Sequence, residues 1–284
     1  MMSAPTRPHS ARWFEHAALR LHALHWAGDG DPVLCIHGAG GHARWWEHVV
    51  PWWEGREVLA PDLRGHGESA AAARYLVEDF ADDCLAIVDA WGHGRVVLVG
   101  HSMGGRVAAW IAAHHPQRVR GLVLLDARLG AVPRERAERW RDAKPADAAP
   151  RRYATRAEAE AAFRLTPAEP DVDAARHASL AQHAVRQADD GSWRMRFDRA
   201  VLRLESSRVD DLLPTVARIR CPTLALRGAD STVIGAAQDA ALRAALPAVT
   251  QEVMPGGHHF LLVHGQRVGM RVAAFLAALG CSAR

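Results

Sequence analysis

The sequence predicts an α/β protein with a mostly parallel central sheet that is covered by helices on both faces. Short apolar segments, rich in valine, isoleucine and leucine, alternate along the chain with helix-length amphipathic segments. Such alternation is typical of parallel strands that are buried on both faces. A segment rich in alanine, arginine and glutamate interrupts the alternation between about residues 128 and 210. We therefore predict a core formed by residues 1–127 and 211–284, and a helical cap formed by residues 128–210.

The elements of the predicted core follow in chain order. Alternating apolar residues over 12–26 predict a hairpin, and compact apolar runs predict buried strands over 32–37 and 57–60. A helix is expected near 77–91, a strand over 95–100, a helix near 103–115 and a strand over 119–125. After the cap, we expect a strand over 222–227, a helix near 235–245, a strand over 249–254 and a last helix that ends near residue 279.

The predicted cap carries helical spacing in 134–143, 156–165 and 173–188, and no convincing buried strand. Its large apolar residues are candidates to line a substrate pocket or to attach the cap to the core. The candidate pocket residues are Trp140, Phe163 and Trp193 in the cap, and Trp45 and Trp46 in the loop after the first buried strand. We expect the cap to set substrate choice without contributing to the chemical step.

Composition excludes several function classes. With 284 residues, 49% of them apolar and 24% charged, the chain is expected to be soluble and globular. The net charge of +3 is spread along the sequence, which argues against a nucleic acid or a membrane as partner. No apolar stretch has the length of a signal peptide or a membrane span, so the expected compartment is the cytoplasm. The four cysteines lack metal-ligand spacing, and we expect no metal or organic cofactor.

The most informative motif is Gly-His-Ser-Met-Gly over residues 100–104. It lies between an apolar β-branched run and a helical pattern, so the serine falls at a strand-to-helix turn too tight for side chains at Gly100 and Gly104. A serine there presents its hydroxyl at the tip of a bend. We predict Ser102 as a nucleophile; the simpler interpretation is a serine that caps the helix.

A hydroxyl nucleophile needs a base and a group that orients the base. The expected base is His258, in the loop after strand 249–254, with His259 as the fallback. Two carboxylates follow strand ends from which they could reach that imidazole, Asp230 and Asp126. Either gives the chain order serine, aspartate, histidine, and either could instead be an ordinary turn residue.

Backbone amides are the expected donors for the oxyanion that forms when a serine attacks a carbonyl. The glycine-rich stretch 37–41 follows the first buried strand and offers the amide of Ala39. Met103 offers a second amide at the start of a helix, where the helix dipole favours negative charge. The glycine-rich stretch could instead cradle a phosphate, but it lacks the lysine and the spacing of nucleotide-binding loops.

Five motifs in order resemble the α/β-hydrolase superfamily, in its capped branch with a serine nucleophile. They are His-Gly-Ala-Gly-Gly (37–41), Pro-Asp-Leu-Arg-Gly-His-Gly-Glu-Ser (61–69), Gly-His-Ser-Met-Gly-Gly (100–105), Arg-Gly-Ala-Asp-Ser (227–231) and Gly-Gly-His-His-Phe (256–260). The resemblance covers the whole chain except the cap. It implies an α/β-hydrolase fold, Ser102 as nucleophile, His258 as base, Ala39 and Met103 as oxyanion donors, and Asp62 as a scaffold residue.

The resemblance also implies Asp230 as the acid. However, many members place the acid three residues after the glycine of that turn, and Asp230 lies only two after Gly228, so Asp126 remains the alternative. The implied activity is hydrolysis of a small carboxylic ester through an acyl-enzyme. The alternatives are a carbon–carbon bond hydrolase acting on a vinylogous diketone, and a receptor for a small ligand that has no turnover. Dehalogenases and epoxide hydrolases of the superfamily place a carboxylate where Ser102 stands.

Overall fold

The computed structural model describes residues 6–131, 150–203 and 211–281. Its strands are β1 (Ser10–His16), β2 (Leu19–Trp26), β3 (Gly30–Ile36), β4 (Arg56–Pro61), β5 (Val96–His101), β6 (Val119–Leu125), β7 (Val185–Gln187), β8 (Trp193–Met195), β9 (Thr223–Gly228) and β10 (Thr250–Met254). Eight of them form one sheet in the order β1-β2-β4-β3-β5-β6-β9-β10. The pairs β1–β2 and β2–β4 are antiparallel, and the other neighbours in this sheet are parallel.

The described helices are α1 (Val77–Trp91), α2 (Met103–His114), α3 (Arg156–Ala161), α4 (Ala174–Ala184), α5 (Leu213–Val216), α6 (Ala236–Ala245), α7 (Phe260–Val263) and α8 (Gly265–Cys281). Short 3-10 helices span Ala43–His48, Val50–Trp52, Pro116–Arg118 and Arg199–Arg203. Among the described helices, none combines the length and the apolar character that crossing a bilayer requires.

The middle strands of the sheet are buried on both faces because their successive side chains enter two different cores. In β5, Leu98 packs into one core, which also holds apolar residues of α1, α2 and α6. Its neighbours Val97 and Val99 pack into the second core, against α8 and part of the insertion. This arrangement confirms the predicted α/β architecture with a mostly parallel sheet between helices.

The insertion (residues 128–210) leaves the sheet after β6, and the chain returns in β9, which lies directly beside β6. The helical pattern of 156–165 gives the shorter helix α3, and that of 173–188 gives α4, which ends at Ala184. The pattern in 134–143 lies outside the described residues. We expected no convincing buried strand here, and the two strands that form, the antiparallel pair β7 and β8, are mostly not buried. The two strands have three residues each, too short for period-2 patterning to stand out in the sequence.

The other predicted elements form within a few residues of their expected bounds, with one difference near the carboxyl end. The single last helix is split into α7 and α8 at His264. The long connection between β4 and α1 turns around Asp62, which accepts hydrogen bonds from the Ala43 N–H at 2.7 Å, the Glu68 N–H at 2.9 Å and the His22 imidazole at 2.8 Å. Through these bonds Asp62 joins three separate segments of the chain, which is the role of a scaffold residue that the resemblance implies.

Candidate active site

Ser102 lies on the sharp turn between β5 and α2, with φ 53° and ψ −116°. Two glycines allow this turn. A Cβ at Gly100 would lie 2.4 Å from the carbonyl oxygen of Gly104, and a Cβ at Gly104 would lie 2.1 Å from that of Ile36. Any larger residue at either position would push α2 away from the sheet. The predicted strand, tight turn and helix are therefore present, and the half-buried Ser102 stands at the carboxyl end of the sheet.

A chain of two hydrogen bonds links Ser102 to a histidine and an aspartate. His258 Nε2 lies 2.9 Å from Ser102 Oγ, and His258 Nδ1 lies 2.6 Å from Asp126 Oδ2. Because an ionised carboxylate can only accept, Nδ1 carries the proton, which leaves Nε2 free to accept the proton of the serine. The imidazole therefore has the tautomer that general-base catalysis requires.

The aspartate in this chain is Asp126, and the expected contact between Asp230 and His258 is absent from the described residues. Asp126 directly follows β6 and is fully buried, whereas Asp230 sits in the exposed turn after β9. The backbone N–H of Asp230 donates instead to the Gly256 carbonyl at 3.0 Å, which supports the loop that carries His258.

The carboxylate of Asp126 accepts two further hydrogen bonds. The Gly228 N–H donates to Oδ1 at 2.9 Å, and the Ser231 hydroxyl donates to Oδ2 at 2.6 Å. The Ser231 oxygen accepts from the N–H groups of Val233 and Ile234, which turns its proton toward Asp126. Sequence reasoning missed Ser231, although it stands next to Asp230 in the motif over 227–231.

The two expected oxyanion amides lie beside Ser102. A Cβ at Gly38 would lie 2.9 Å from the Cβ of Ser102, so the Gly38–Ala39 peptide passes directly against the serine. Met103 is the first residue of α2. Neither the Ala39 N–H nor the Met103 N–H has a backbone acceptor within the described ranges. Both amides are thus available to an oxygen atom bound near Ser102.

His37 fixes the orientation of that first peptide. Its Nε2 accepts from the Leu63 N–H at 3.0 Å, so its Nδ1 carries the proton and donates to the Gly38 carbonyl at 2.8 Å. Burial, together with the charge of nearby His66, lowers the pKa of His37 to about 3, which keeps the ring neutral. Because the carbonyl and the N–H of one planar peptide point in opposite directions, this bond fixes where the Ala39 N–H points. Sequence reasoning did not identify this role of His37.

His101, His258 and His259 bring three buried imidazoles together, with ligand atoms within 4.8 Å of one another. Burial, followed by the charge of His258, lowers the pKa of His259 to about 3 and moves the pKa of His101 well below its ordinary value. Both nitrogens of His258 are already bonded to Ser102 and Asp126, so a metal ion held through this ring would break the chain of hydrogen bonds. The serine is bonded to His258 and not to His259, the fallback base.

The candidate pocket residues occupy different places. The buried ring of Trp45 packs on His259 and His101, with centroid distances of 5.3 and 5.8 Å. Phe163 is buried in the same core as Trp45, and Trp46 is fully buried there. Trp193 lies in β8, where the Arg156 guanidinium stacks over its ring at 5.7 Å. Trp140 lies outside the described residues.

The insertion contacts the core close to the candidate site. Glu169 accepts hydrogen bonds from the N–H groups of Gly257 and His259, on either side of His258. Arg176 donates to the Leu262 carbonyl, and His42 contacts the Leu180 carbonyl at 3.2 Å. Glu169 was not singled out from the sequence, since nothing local to it indicates a partner 90 residues away.

Comparisons with known proteins agree with the fold. Residues 31–266 match the family model of the alpha/beta hydrolase fold. The chain is 34% identical over 252 residues to RutD of Variovorax paradoxus (strain S110), which carries the name of a candidate carbamate hydrolase; the match covers 83% of this chain and 87% of that protein. It is 39% identical over 131 residues to the 2-hydroxymuconate semialdehyde hydrolase of Pseudomonas sp. (strain CF600), covering 44% of this chain and 46% of the relative.

Among solved structures, the chain is similar to E-2-(acetamidomethylene)succinate hydrolase, with a TM-score of 0.80 and 25% identity. This likeness covers 95% of our chain and 100% of the other. The family match spans the strands of the sheet from β3 onward, the Ser102 turn and the His258 loop, and these relatives carry the names of hydrolases. The chain belongs to the α/β-hydrolase family.

Proposed function

We propose that this protein hydrolyses carboxylic esters of small molecules through an acyl-enzyme formed on Ser102. The observation that carries the proposal is the chain from Asp126 through His258 to Ser102, with contacts of 2.6 and 2.9 Å. A serine whose proton can pass to a correctly oriented imidazole is the chemical requirement for acyl transfer.

In the proposed reaction, His258 Nε2 takes the proton of Ser102 as the oxygen attacks the ester carbonyl. The buried carboxylate of Asp126 stabilises the imidazolium that results. His258 then gives its proton to the leaving alcohol. Water attacks the acyl-enzyme with the same imidazole as base, which releases the acid and restores the serine.

The N–H groups of Ala39 and Met103 are the proposed donors to the tetrahedral oxyanion. Because these N–H groups are fixed before the reaction, they can stabilise the oxyanion without reorganising as the charge develops. The hydrogen bond from His37 to the Gly38 carbonyl supports this role, since it fixes the peptide that carries the Ala39 amide.

A second candidate is hydrolysis of a carbon–carbon bond in a vinylogous diketone. It is supported by the relative named as a 2-hydroxymuconate semialdehyde hydrolase, although the match spans less than half of that protein. A receptor without turnover is the third interpretation of the same site. A panel of p-nitrophenyl esters of increasing acyl length, run beside a dienone chromophore assay, separates the three.

Replacing the nucleophile tests the proposal most directly. Ser102→Ala should lower kcat on p-nitrophenyl butyrate by about a thousandfold or more, with the fold intact because the turn depends on Gly100 and Gly104. Ser179→Ala, on α4 of the insertion, is the matched control and should keep the parental rate. Near-normal turnover by purified Ser102→Ala would overturn the serine mechanism.

A further inference from the structure

The loop that carries His258 is held by a carboxylate from the insertion. Glu169 Oε1 accepts from the Gly257 N–H at 3.3 Å, and Glu169 Oε2 accepts from the His259 N–H at 2.9 Å. Only 8% of Glu169 is exposed, so these contacts are largely shielded from water. Hydrogen bonds to a charged, buried acceptor are stronger than those between neutral groups.

The same loop is held from the opposite side by the core. The His101 imidazole donates through Nε2 to the carbonyl of His258 at 3.0 Å. One main-chain group of each of three successive residues is therefore bonded: the N–H of Gly257, the carbonyl of His258 and the N–H of His259. The backbone at His258 has fixed partners on both sides, one in β5 and one in the insertion.

Gly257 leaves room for the Glu169 carboxylate because it has no side chain. A Cβ built at this position would lie 2.7 Å from Glu169 Oε2 and 3.1 Å from Oε1. Such distances are shorter than van der Waals contact, so any side chain larger than hydrogen would displace Glu169. The approach of the carboxylate thus depends on both residues.

We propose that Glu169 is a positioning residue for His258, so that the insertion contributes to the chemical step as well as covering the site. This inference rests on the proposed function. His258 must keep contacts of 2.6 Å to Asp126 and 2.9 Å to Ser102 at the same time. A displacement of about 1 Å in such an arrangement can cost about a hundredfold in rate, even when its origin is remote. Our expectation from the sequence, that the insertion only selects substrates, is replaced by this proposal.

The test is Glu169→Gln, which preserves size but replaces one acceptor oxygen with an N–H donor. One of the two loop N–H groups then faces another donor. We expect kcat on p-nitrophenyl butyrate to fall by about tenfold to a hundredfold, with KM changed by less than about threefold. In a His258→Ala background the same change should leave the residual rate unaltered, because a residue that acts through His258 has nothing left to position.

The matched control is Glu68→Gln. Glu68 also joins the insertion to the core, through an ion pair with Arg196 at 2.7 Å, but its side chain does not touch the His258 loop. We expect its kcat to stay within about twofold of the parent. A second variant, Gly257→Ala, reaches the same contact from the other side and should reproduce the effect of Glu169→Gln, provided that both variants melt as folded proteins.

A readout without substrate separates this proposal from the ester hydrolase proposal. The proton on His258 Nδ1, shared with Asp126 at 2.6 Å, should give a far-downfield NMR resonance. We expect it to shift or broaden in folded Glu169→Gln and to stay unchanged in Glu68→Gln, whichever substrate the enzyme takes. An unchanged resonance and kcat in folded Glu169→Gln, or an equal loss in Glu68→Gln, would overturn the positioning role. Inactivity of the parent on every ester would count against the proposed function alone.

Discussion

Asp126→Asn is the sharpest test of the hydrogen-bonded chain, because both oxygens of this carboxylate accept hydrogen bonds and an amide has only one oxygen. In either orientation the amide NH₂ of asparagine would meet a donor: the Gly228 N–H at the position of Oδ1, or the Ser231 hydroxyl and His258 Nδ1 at the position of Oδ2. With the amide oxygen on the Gly228 N–H, the NH₂ replaces Oδ2 and faces His258 Nδ1. To avoid two opposed donors, the imidazole would move its proton to Nε2.

That change removes the base. With a proton on Nε2, His258 can no longer accept the proton of Ser102, and the negative charge that stabilises the imidazolium is lost as well. In triads generally, this substitution costs about 10⁴-fold in kcat, equivalent to about 5.5 kcal/mol of transition-state stabilisation. We therefore expect a loss of about 10³ to 10⁴ on p-nitrophenyl butyrate near neutral pH, with KM little changed.

The control is Asp230→Asn, the same substitution in the neighbouring loop. The Asp230 side chain is exposed and its contribution to the His258 loop is a backbone N–H, which asparagine retains. We expect this variant to keep at least half of the parental kcat. Comparable losses in the two variants, or a larger loss in Asp230→Asn, would refute the reasoning.

Two further predictions concern stability and the pocket. Burial lowers the pKa of His37 to about 3 and those of His42 and His66 to about 4, against about 6.5 in the unfolded chain. The unfolded state therefore binds protons first as pH falls, so the free energy of unfolding should be full above about pH 6.5 and decline toward pH 4. At pH 5 each of the three rings should lower the free energy of unfolding by about 2 kcal/mol. Urea unfolding at pH 5 and pH 7.5 measures the difference. Equal urea midpoints at pH 5 and pH 7.5 would contradict the expected loss of stability at low pH. In the pocket, Trp45→Leu should change the ratio of rates on short and long acyl esters by about tenfold, since the Trp45 ring packs on His101 and His259. The Trp193 ring lies under the Arg156 guanidinium, so Trp193→Leu should change the same ratio by less than about twofold. A larger change in Trp193→Leu than in Trp45→Leu would place the acyl pocket under β8.

The sequence predicted those parts of the site that depend on local geometry. Ser102 was found because a strand, a glycine-bounded turn and a helix follow one another within a short stretch. The expected His258 position follows from a similar local pattern at the end of β10. Both signals are contained in a few neighbouring residues, where the intrinsic preferences of glycine and β-branched residues decide the structure.

The acid could not be decided in this way, because the choice depends on two loops that meet only in the folded sheet. β6 and β9 are neighbours with Leu125 beside Leu226, so both following loops open toward His258. Which of them carries its carboxylate to the imidazole depends on turn geometry beyond the strand ends. Glu169 was further out of reach, since its partner loop lies 90 residues away along the chain.

The backbone angles at the site have a consequence for how this protein would respond to selection. Among the described residues other than glycine, four have positive φ: Ala17 and Ala18 in the hairpin turn, and Ser102 and Asp126, at 53° and 45°. A side chain held in such a region costs about 1–3 kcal/mol, and glycine relieves that cost. Ser102→Gly should therefore yield a protein that melts later but no longer turns over. A search for heat-resistant variants that does not also select for activity would tend to discard the nucleophile itself.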